Sequence, residues 1–330
     1  MNGFERKLKG KRVFVTGGAG FIGSHLVDCL AEKGSSLVVL DNLSAGRKEF
    51  LSSHFSKDEK EFLFIKGDVL RAEDYRHALE ECEVVFHLAA NPDVRAGIDN
   101  TYIHFEQNIL ATYTLLEEVR KRDVEEFVFT STSTVYGEAE IIPTPEDYGP
   151  LVPISLYGSS KLAAEALIAA YSYNYGITSF LYRFANAVGP RSTHGVTYDF
   201  VHKLKRNPHE LEILGDGKQT KSYFYIEDCI EGMMVGYKKG KDLVNIFNIG
   251  SEDYIDVTTI ANIVCEEMGL KNVRYRYTGG VDGGAGWKGD VKVMLLSVKK
   301  LKSLGWQPKY SSGEAIRLTA RNLVKEMRIF

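Results

Sequence analysis

The stretch VFVTGGAGFIGSHL, residues 13–26, constrains what this chain can fold into more than any other. Val13 to Thr16 reads as a buried strand. Gly17, Gly18 and Gly20 read as a turn, and Phe21, Ile22, Leu26, Val27 and Leu30 as the apolar stripe of a helix. A strand, a glycine turn and a helix start in that order make an anion site, because first-turn amides have no intrahelical partner and the helix dipole is positive there. Gly17 allows the tight turn, Gly20 lets a pyrophosphate approach the backbone, and Gly23 lets the helix pack close to the strand. A second strand ends in Asp41, whose carboxylate is placed to accept hydrogen bonds from an adenosine ribose. The pattern points to a dinucleotide. Repulsion between that carboxylate and a 2′-phosphate favours NAD over NADP, and the nearby Arg47 blunts the preference.

Around this stretch the first half of the chain alternates strand and helix. Strands read at 12–16, 36–41, 62–66, 84–88, 125–131 and 177–184, with helices at about 21–33, 72–81, 101–121 and 155–174. Short, nearly all-apolar strands such as VVFHLAA suit a parallel sheet covered on both faces. The expected fold is α/β: a doubly wound parallel sheet of Rossmann type over residues 1–185, followed by a smaller C-terminal α/β substrate lobe over 186–330, the two partly interleaved. In the second half GDGKQ (215–219) reads as a hairpin turn. Helices are expected at 226–239, at 257–269 with Gly269 as cap, and at about 312–327; a long glycine-rich loop spans 279–290.

Composition narrows the function classes. The 330 residues carry a formal net charge of −3, which gives no electrostatic case for nucleic acid or an anionic membrane. No apolar run reaches a membrane span, and Met1 to Lys11 is polar and basic without a signal-peptide core, so a cytoplasmic location is expected. Cys29, Cys82, Cys229 and Cys265 stand singly in apolar helical contexts and read as reduced buried thiols, with no metal site expected.

The chemistry is carried by YGSSK. Tyr157 and Lys161 lie four apart on one helix face, with Ser155 as a plausible N-cap. An ammonium near a phenol favours the phenolate, so a tyrosine able to take a hydroxyl proton near neutral pH is expected. A strand-end cluster of hydroxyls, Ser131, Thr132, Ser133 and Thr134, precedes it.

Together GGAGFIGSHL, GDV (67–69), HLAA (87–90), STSTVYG (131–137), YGSSK and GDGKQTKSYFYIEDC (215–229) resemble the extended short-chain dehydrogenase/reductase superfamily, and within it the UDP-glucose 4-epimerases. The resemblance implies tightly bound NAD and a UDP-sugar substrate. It implies that Gly17, Gly20, Phe21 and Ile22 hold the pyrophosphate, and Asp41, Asn42, Ser44 and Gly46 the adenosine ribose and its phosphate. Asp68 and Val69 would meet the adenine, and Leu88, Ala89 and Ala90 would line the nicotinamide side. Tyr157, Lys161 and Thr132 would form the catalytic set, Lys161 also bridging the nicotinamide ribose. Thr132 stands where these enzymes usually carry serine and keeps the hydroxyl. For the substrate the resemblance implies Asn186, Val196, Thr197, Gln219, Lys221 and Asp290, with Leu211 to Leu214 beside the uracil. Trp287 and Lys288 replace an arginine often found just before Asp290.

Related branches leave marks that this chain lacks. Sugar-nucleotide 4,6-dehydratases carry an Asp-Glu pair after the catalytic threonine, where this chain has Ser133 and Thr134; UDP-glucuronate decarboxylases carry Glu at the position of Thr134. The expected reaction is therefore interconversion of UDP-galactose and UDP-glucose. Epimerisation of UDP-N-acetylhexosamines or UDP-uronates is kept open by Met294 and Arg95, and a non-catalytic NAD(P)-sensing regulator is the alternative class. The resemblance also implies a homodimer through the helices at about 101–121 and 155–174, with Leu116, Val119, Leu167 and Ala170 as outer apolar positions.

Overall fold

The structure, a computed structural model, describes residues 6–281 and 283–327. The first residues of the basic N-terminal stretch and Asp282 of the glycine-rich loop lie outside the described residues. The chain forms two compact units, each assembled from three stretches. The first comprises 1–132, 156–183 and 233–247; the second comprises 133–155, 184–232 and 248–330. The boundary read from the sequence at 185/186 lies next to the crossing at 183/184.

In chain order the elements are β1 (Arg12–Thr16), α1 (Phe21–Glu32), β2 (Ser36–Asp41), β3 (Phe62–Lys66), β4 (Val84–His87), α2 (Ala96–Asp99), α3 (Thr101–His104), α4 (Ala111–Lys121), β5 (Glu126–Thr132), α5 (Leu156–Tyr175) and β6 (Thr178–Phe184). There follow β7 (Asn186–Val188), α6 (Val196–Arg206), β8 (Glu210–Ile213), β9 (Thr220–Lys221), β10 (Tyr223–Tyr225), α7 (Ile226–Lys239) and β11 (Val244–Ile249). The chain ends with β12 (Ile255–Asp256), α8 (Val257–Glu267), β13 (Arg274–Tyr277), β14 (Val293–Met294), α9 (Lys299–Ser303) and α10 (Ser312–Glu326).

The seven-stranded parallel sheet has the order β11-β6-β5-β4-β1-β2-β3, a doubly wound arrangement whose direction reverses beside β1. Val13 to Val15, Val38 to Leu40, Val84 to Phe86 and Phe127 to Phe129 are buried on both faces of this sheet, which is why these strands are apolar without alternation. Leu116 and Val119 belong to its core, so the dimer-facing role expected of these two is not what they do; Leu167 is partly buried against the core and Ala170 is exposed. The outer faces of the same helical segments instead expose Tyr102, Phe105, Tyr113 and Tyr173.

Other local expectations shift. The 72–81 helix shrinks to one 3-10 turn, Ala72–Asp74. The 101–121 helix is interrupted by a π-helical stretch, Phe105–Leu110, which places Asn108 in the interior. GDGKQ does not close a hairpin: β8 pairs with β13, whereas β9 pairs with β12 and β14 in a different sheet. Gly269 follows α8 at φ +66°, the left-handed conformation expected of a helix-ending glycine. The seventh strand, β11, comes from far downstream of the 185 boundary.

Candidate active site

The glycine turn is as tight as its sequence demands. A Cβ on Gly23 would lie 2.1 Å from the Gly17 carbonyl oxygen, and one on Gly17, at φ +68°, would lie 2.7 Å from the Ala89 nitrogen. Gly20 differs: a Cβ there would meet only the Gly17 oxygen, at 3.1 Å, so this side of the turn is open. Gly20 is also the N-cap of α1, with no side-chain cap and no acidic residue in the first turn. A helix start without its own oxygen acceptors, beside an open glycine face, is a cradle that fits a diphosphate.

Asp41, buried at the end of β2, does more than the sequence suggests. Its Oδ2 accepts from the Ala19 amide at 2.9 Å and its Oδ1 from Leu43 at 2.8 Å, so it fastens the glycine turn. Burial pushes its carboxyl up from the ordinary range, and those two amide donors oppose the push. Gly46 lies close enough that a Cβ would meet both Asp41 oxygens at 2.9 Å. Asn42 donates to Asp68 at 3.0 Å, and the Asn42 side chain also accepts from the Ser44 amide at 3.0 Å. The residues expected at the adenosine end thus form one connected group; Val69 is buried with them, its carbonyl accepting from Tyr75.

Leu88, Ala89 and Ala90 follow β4, and the amides of Leu88 and Ala89 each donate to Thr16 Oγ1 at 3.2 Å. That hydroxyl starts a buried chain that sequence reasoning missed. Thr16 lies 2.7 Å from His87 Nδ1, and His87 Nε2 lies 3.0 Å from Thr112 Oγ1. Thr112 donates to the Asn108 carbonyl at 2.6 Å. Because the Thr112 proton is committed there, His87 donates from Nε2 and accepts from Thr16 at Nδ1. Burial, reinforced by Lys161, pushes His87 down to about 3, so it is neutral. The Asn108 amide donates to Ser160 Oγ at 2.8 Å, and Ser160 donates to the Tyr157 carbonyl at 2.7 Å. The glycine turn is thereby tied to the start of α5 through side chains; the signal for it was the polar face of the 101–121 segment, hidden because helical periodicity does not register a π-helical turn.

Thr132, Tyr157 and Lys161 come together as expected. Tyr157 hydrogen-bonds Thr132 through their side chains, and its ring meets His104 edge-on at 5.7 Å. Lys161 is buried; its Nζ donates to the Thr130 carbonyl at 2.9 Å and lies 4.6 Å from the Phe129 ring centroid. The expected neutral-range phenol is not what this arrangement gives. Burial pushes Tyr157 up to about 12, with the Thr132 hydrogen bond opposing, and burial pushes Lys161 down to about 7, with Glu165 opposing. Desolvation is the larger cause for each group.

The second unit contains the residues expected to meet the substrate. Asn186 donates to the Ser222 carbonyl at 3.0 Å, which also pins β7 beside β10. Val196 and Thr197 open α6, after Gly195 at φ +101°. Lys221 forms an ion pair with the buried Asp290 and sits 5.3 Å from the Trp287 ring centroid. Leu211 and Ile213 are buried in β8. Thr197 Oγ1 and Gln219 Oε1 are buried without a hydrogen-bond partner, which is unusual for native polar atoms and is what a site awaiting a polar ligand leaves behind. Met294 is buried in β14, whereas Arg95 has a side chain 52% exposed beside Asp93.

Residues 13–250 match the NAD dependent epimerase/dehydratase family. The UDP-glucose 4-epimerase of Mycolicibacterium smegmatis is 32% identical over 317 residues, covering 93% of this chain and 97% of that protein. UDP-glucuronic acid decarboxylase 2 of Arabidopsis thaliana is 34% identical over 332 residues, covering 98% of this chain and 69% of that protein. A crystal structure of a UDP-galactose 4-epimerase superposes with a TM-score of 0.84 at 42% identity, covering 96% of this chain and 99% of that one. The Bacillus cereus UDP-glucuronic acid 4-epimerase, solved with UDP-glucuronic acid and NAD, superposes with a TM-score of 0.85 at 28% identity, covering 96% and 99%. The chain is an enzyme of the NAD-dependent epimerase/dehydratase family, with NAD as its cofactor.

Proposed function

We propose that the chain catalyses the reversible 4-epimerisation of UDP-galactose and UDP-glucose through a transient 4-keto sugar. One observation carries the reading: Tyr157 and Thr132 share a hydrogen bond beside Lys161, and the next residues, Ser133 and Thr134, supply no carboxylate. Elimination of water or loss of CO₂ calls for a further acid or base, whereas epimerisation needs hydride transfer and one proton shuttle. That absence supports epimerisation over decarboxylation, since the resemblance implies a Glu at the position of Thr134 in the decarboxylases.

NAD, when bound, supplies a hydride acceptor that returns what it takes, together with a cationic charge. Gly17, Gly20, Phe21 and Ile22 hold its diphosphate, Asp41, Asn42, Ser44 and Gly46 its adenosine ribose, Asp68 and Val69 its adenine, and Leu88 to Ala90 with Lys161 its nicotinamide end. Tyr157 takes and returns the proton of the sugar C4 hydroxyl, and Thr132 hydrogen-bonds the same oxygen. Asn186, Val196, Thr197, Gln219, Lys221 and Asp290 bind the UDP part. The unpartnered Thr197 and Gln219 oxygens support this, as does the Lys221 cation. Exposed Tyr102, Phe105, Tyr113 and Tyr173 support a homodimer built on the helices around 101–121 and 156–175.

A second reading, 4-epimerisation of a UDP-uronate, is favoured by the exposed guanidinium of Arg95 and by the likeness to the Bacillus cereus enzyme. A panel of UDP-galactose, UDP-N-acetylgalactosamine and UDP-galacturonate, followed by NMR with the protein as purified, ranks these readings. Turnover fastest with UDP-galactose supports the proposal; turnover confined to the uronate replaces it.

A further inference from the structure

Three consecutive residues at the end of β5 each hold one residue of a single stripe on α5. Thr132 hydrogen-bonds Tyr157, the Thr130 carbonyl accepts from Lys161 at 2.9 Å, and Ser131 Oγ donates to Glu165 Oε1. Tyr157, Lys161 and Glu165 are spaced by four, so they share one helix face. The third rung is closed by a further strand: Arg183 on β6 binds the Glu165 carboxylate through Nε at 3.0 and 3.2 Å and through Nη2 at 2.7 Å. Glu165 and Arg183 are 4% and 3% exposed, so this is a bidentate ion pair inside the fold.

Such a pair is costly to bury, and well-packed apolar side chains do the same structural work at no greater cost. Its position suggests what else it does. Lys161 is 2% exposed, and its contacts are a neutral carbonyl and the face of Phe129. The charged and titratable groups that act on it or that it acts on are Glu165 from its own helix, neutral His87 from β4 and His104 from α3; Tyr157 shares its helix face, and Arg183 from β6 binds Glu165. Among these described residues Glu165 is the carboxylate, and it acts to keep the Lys161 proton on.

We propose that Glu165, clamped by Ser131 and Arg183, is a positioning residue of the active site: it locks the α5 stripe in register with the end of β5 and supplies the negative charge that holds Lys161 as an ammonium. The inference rests on the reading of Tyr157 and Lys161 given above. Glu165→Gln keeps the shape and the acceptor for Ser131 but removes the charge that faces Arg183. Glu165→Gln/Arg183→Gln removes the Arg183 cation as well.

The test is an NMR pH titration of the full chain carrying ¹³C-labelled lysine, with the Lys161 signal assigned by its loss in Lys161→Met. We expect the Lys161 midpoint to fall by at least one pH unit, tenfold in proton affinity, in Glu165→Gln, and to fall in the same direction in the double variant. The alkaline limb of the pH–rate profile should move down with it. An unchanged midpoint in whichever variant is folded by circular dichroism overturns the proposal, because a purely structural pair would change melting and leave the lysine titration alone. The titration needs no turnover. A wild-type protein inert towards every UDP-sugar would therefore overturn the functional reading while the Lys161 midpoint still decides this one.

Discussion

Two helical glycines should respond to the same substitution with opposite signs. Alanine is favoured over glycine in a helix by about 0.8–1 kcal/mol. Gly313, in α10, has nothing within 4 Å of its would-be Cβ, so Gly313→Ala should raise stability by about 0.5–1 kcal/mol. Gly23, in α1, has the Gly17 oxygen 2.1 Å away, Gly18 Cα at 2.8 Å and Gly17 carbon at 2.9 Å. All three are backbone atoms, so the clash is relieved only by moving the turn by about 1 Å, against an overpacking cost of about 1–3 kcal/mol or more. Propensity does not offset that. At about 1.5 °C per kcal/mol for a chain of this length, Gly23→Ala should lower the melting temperature by about 1.5–4.5 °C, whereas Gly313→Ala should raise it by about 0.7–1.5 °C. Because the moved turn is the proposed diphosphate cradle, NAD retention should fall about tenfold for each 1.4 kcal/mol passed to that site. Thermal melting, together with NAD content measured after gel filtration, checks both. A Gly23→Ala protein melting at or above the parent would refute the reasoning about this turn.

Other consequences follow from the same geometry. Tyr157→Phe should lower turnover by about 10²–10⁴-fold, the span of general acid–base assistance, with little change in melting; near-normal turnover would remove Tyr157 from its role. Burial pushes His87 down to about 3 in the folded chain against about 6.5 for a free imidazole, so the unfolded chain binds the extra proton. Stability should accordingly be full above about pH 6.5 and fall as pH drops towards 3, by up to about 1.4 kcal/mol per unit, and His87→Gln should flatten that slope in urea titrations. Thr16→Val leaves His87 Nδ1 without its donor and should cost about 1–3 kcal/mol by the same urea assay. Lys221→Met leaves the buried Asp290 carboxylate without the Lys221 cation, its Oδ2 still accepting from the Gly286 amide, and should both destabilise the second unit by about 3 kcal/mol and weaken UDP binding in calorimetry.

Much of this was legible from residue order. The apolar strands, the glycine turn and the Tyr157–Lys161 spacing are local patterns, and they place six strands of the sheet and point to the proposed catalytic set. What was not legible depended on long-range contacts. The role of Asp41 in fastening the turn through the Ala19 amide needs the strand end and the loop placed together. Asn108 is read as an ordinary helix residue until the π-helical turn directs it inward to Ser160. Leu116 and Val119 are apolar on a helix, and periodicity alone does not say whether that stripe faces the core or a partner; the sheet takes it. The acidity of Tyr157 was misjudged for a similar reason. A spacing argument counts the neighbouring charge but not the burial, and burial is the first cause of the Tyr157 shift, opposed by the Thr132 hydrogen bond.

The central claim is a reaction in which hydrogen leaves carbon 4 and returns to it. UDP-galactose deuterated at C4, incubated in ordinary water with the protein as purified and followed by proton NMR, tests it most directly. The account predicts UDP-glucose appearing with deuterium still on C4 and no requirement for added NAD. Product in which C4 carries solvent hydrogen, or no UDP-glucose at all, would contradict it.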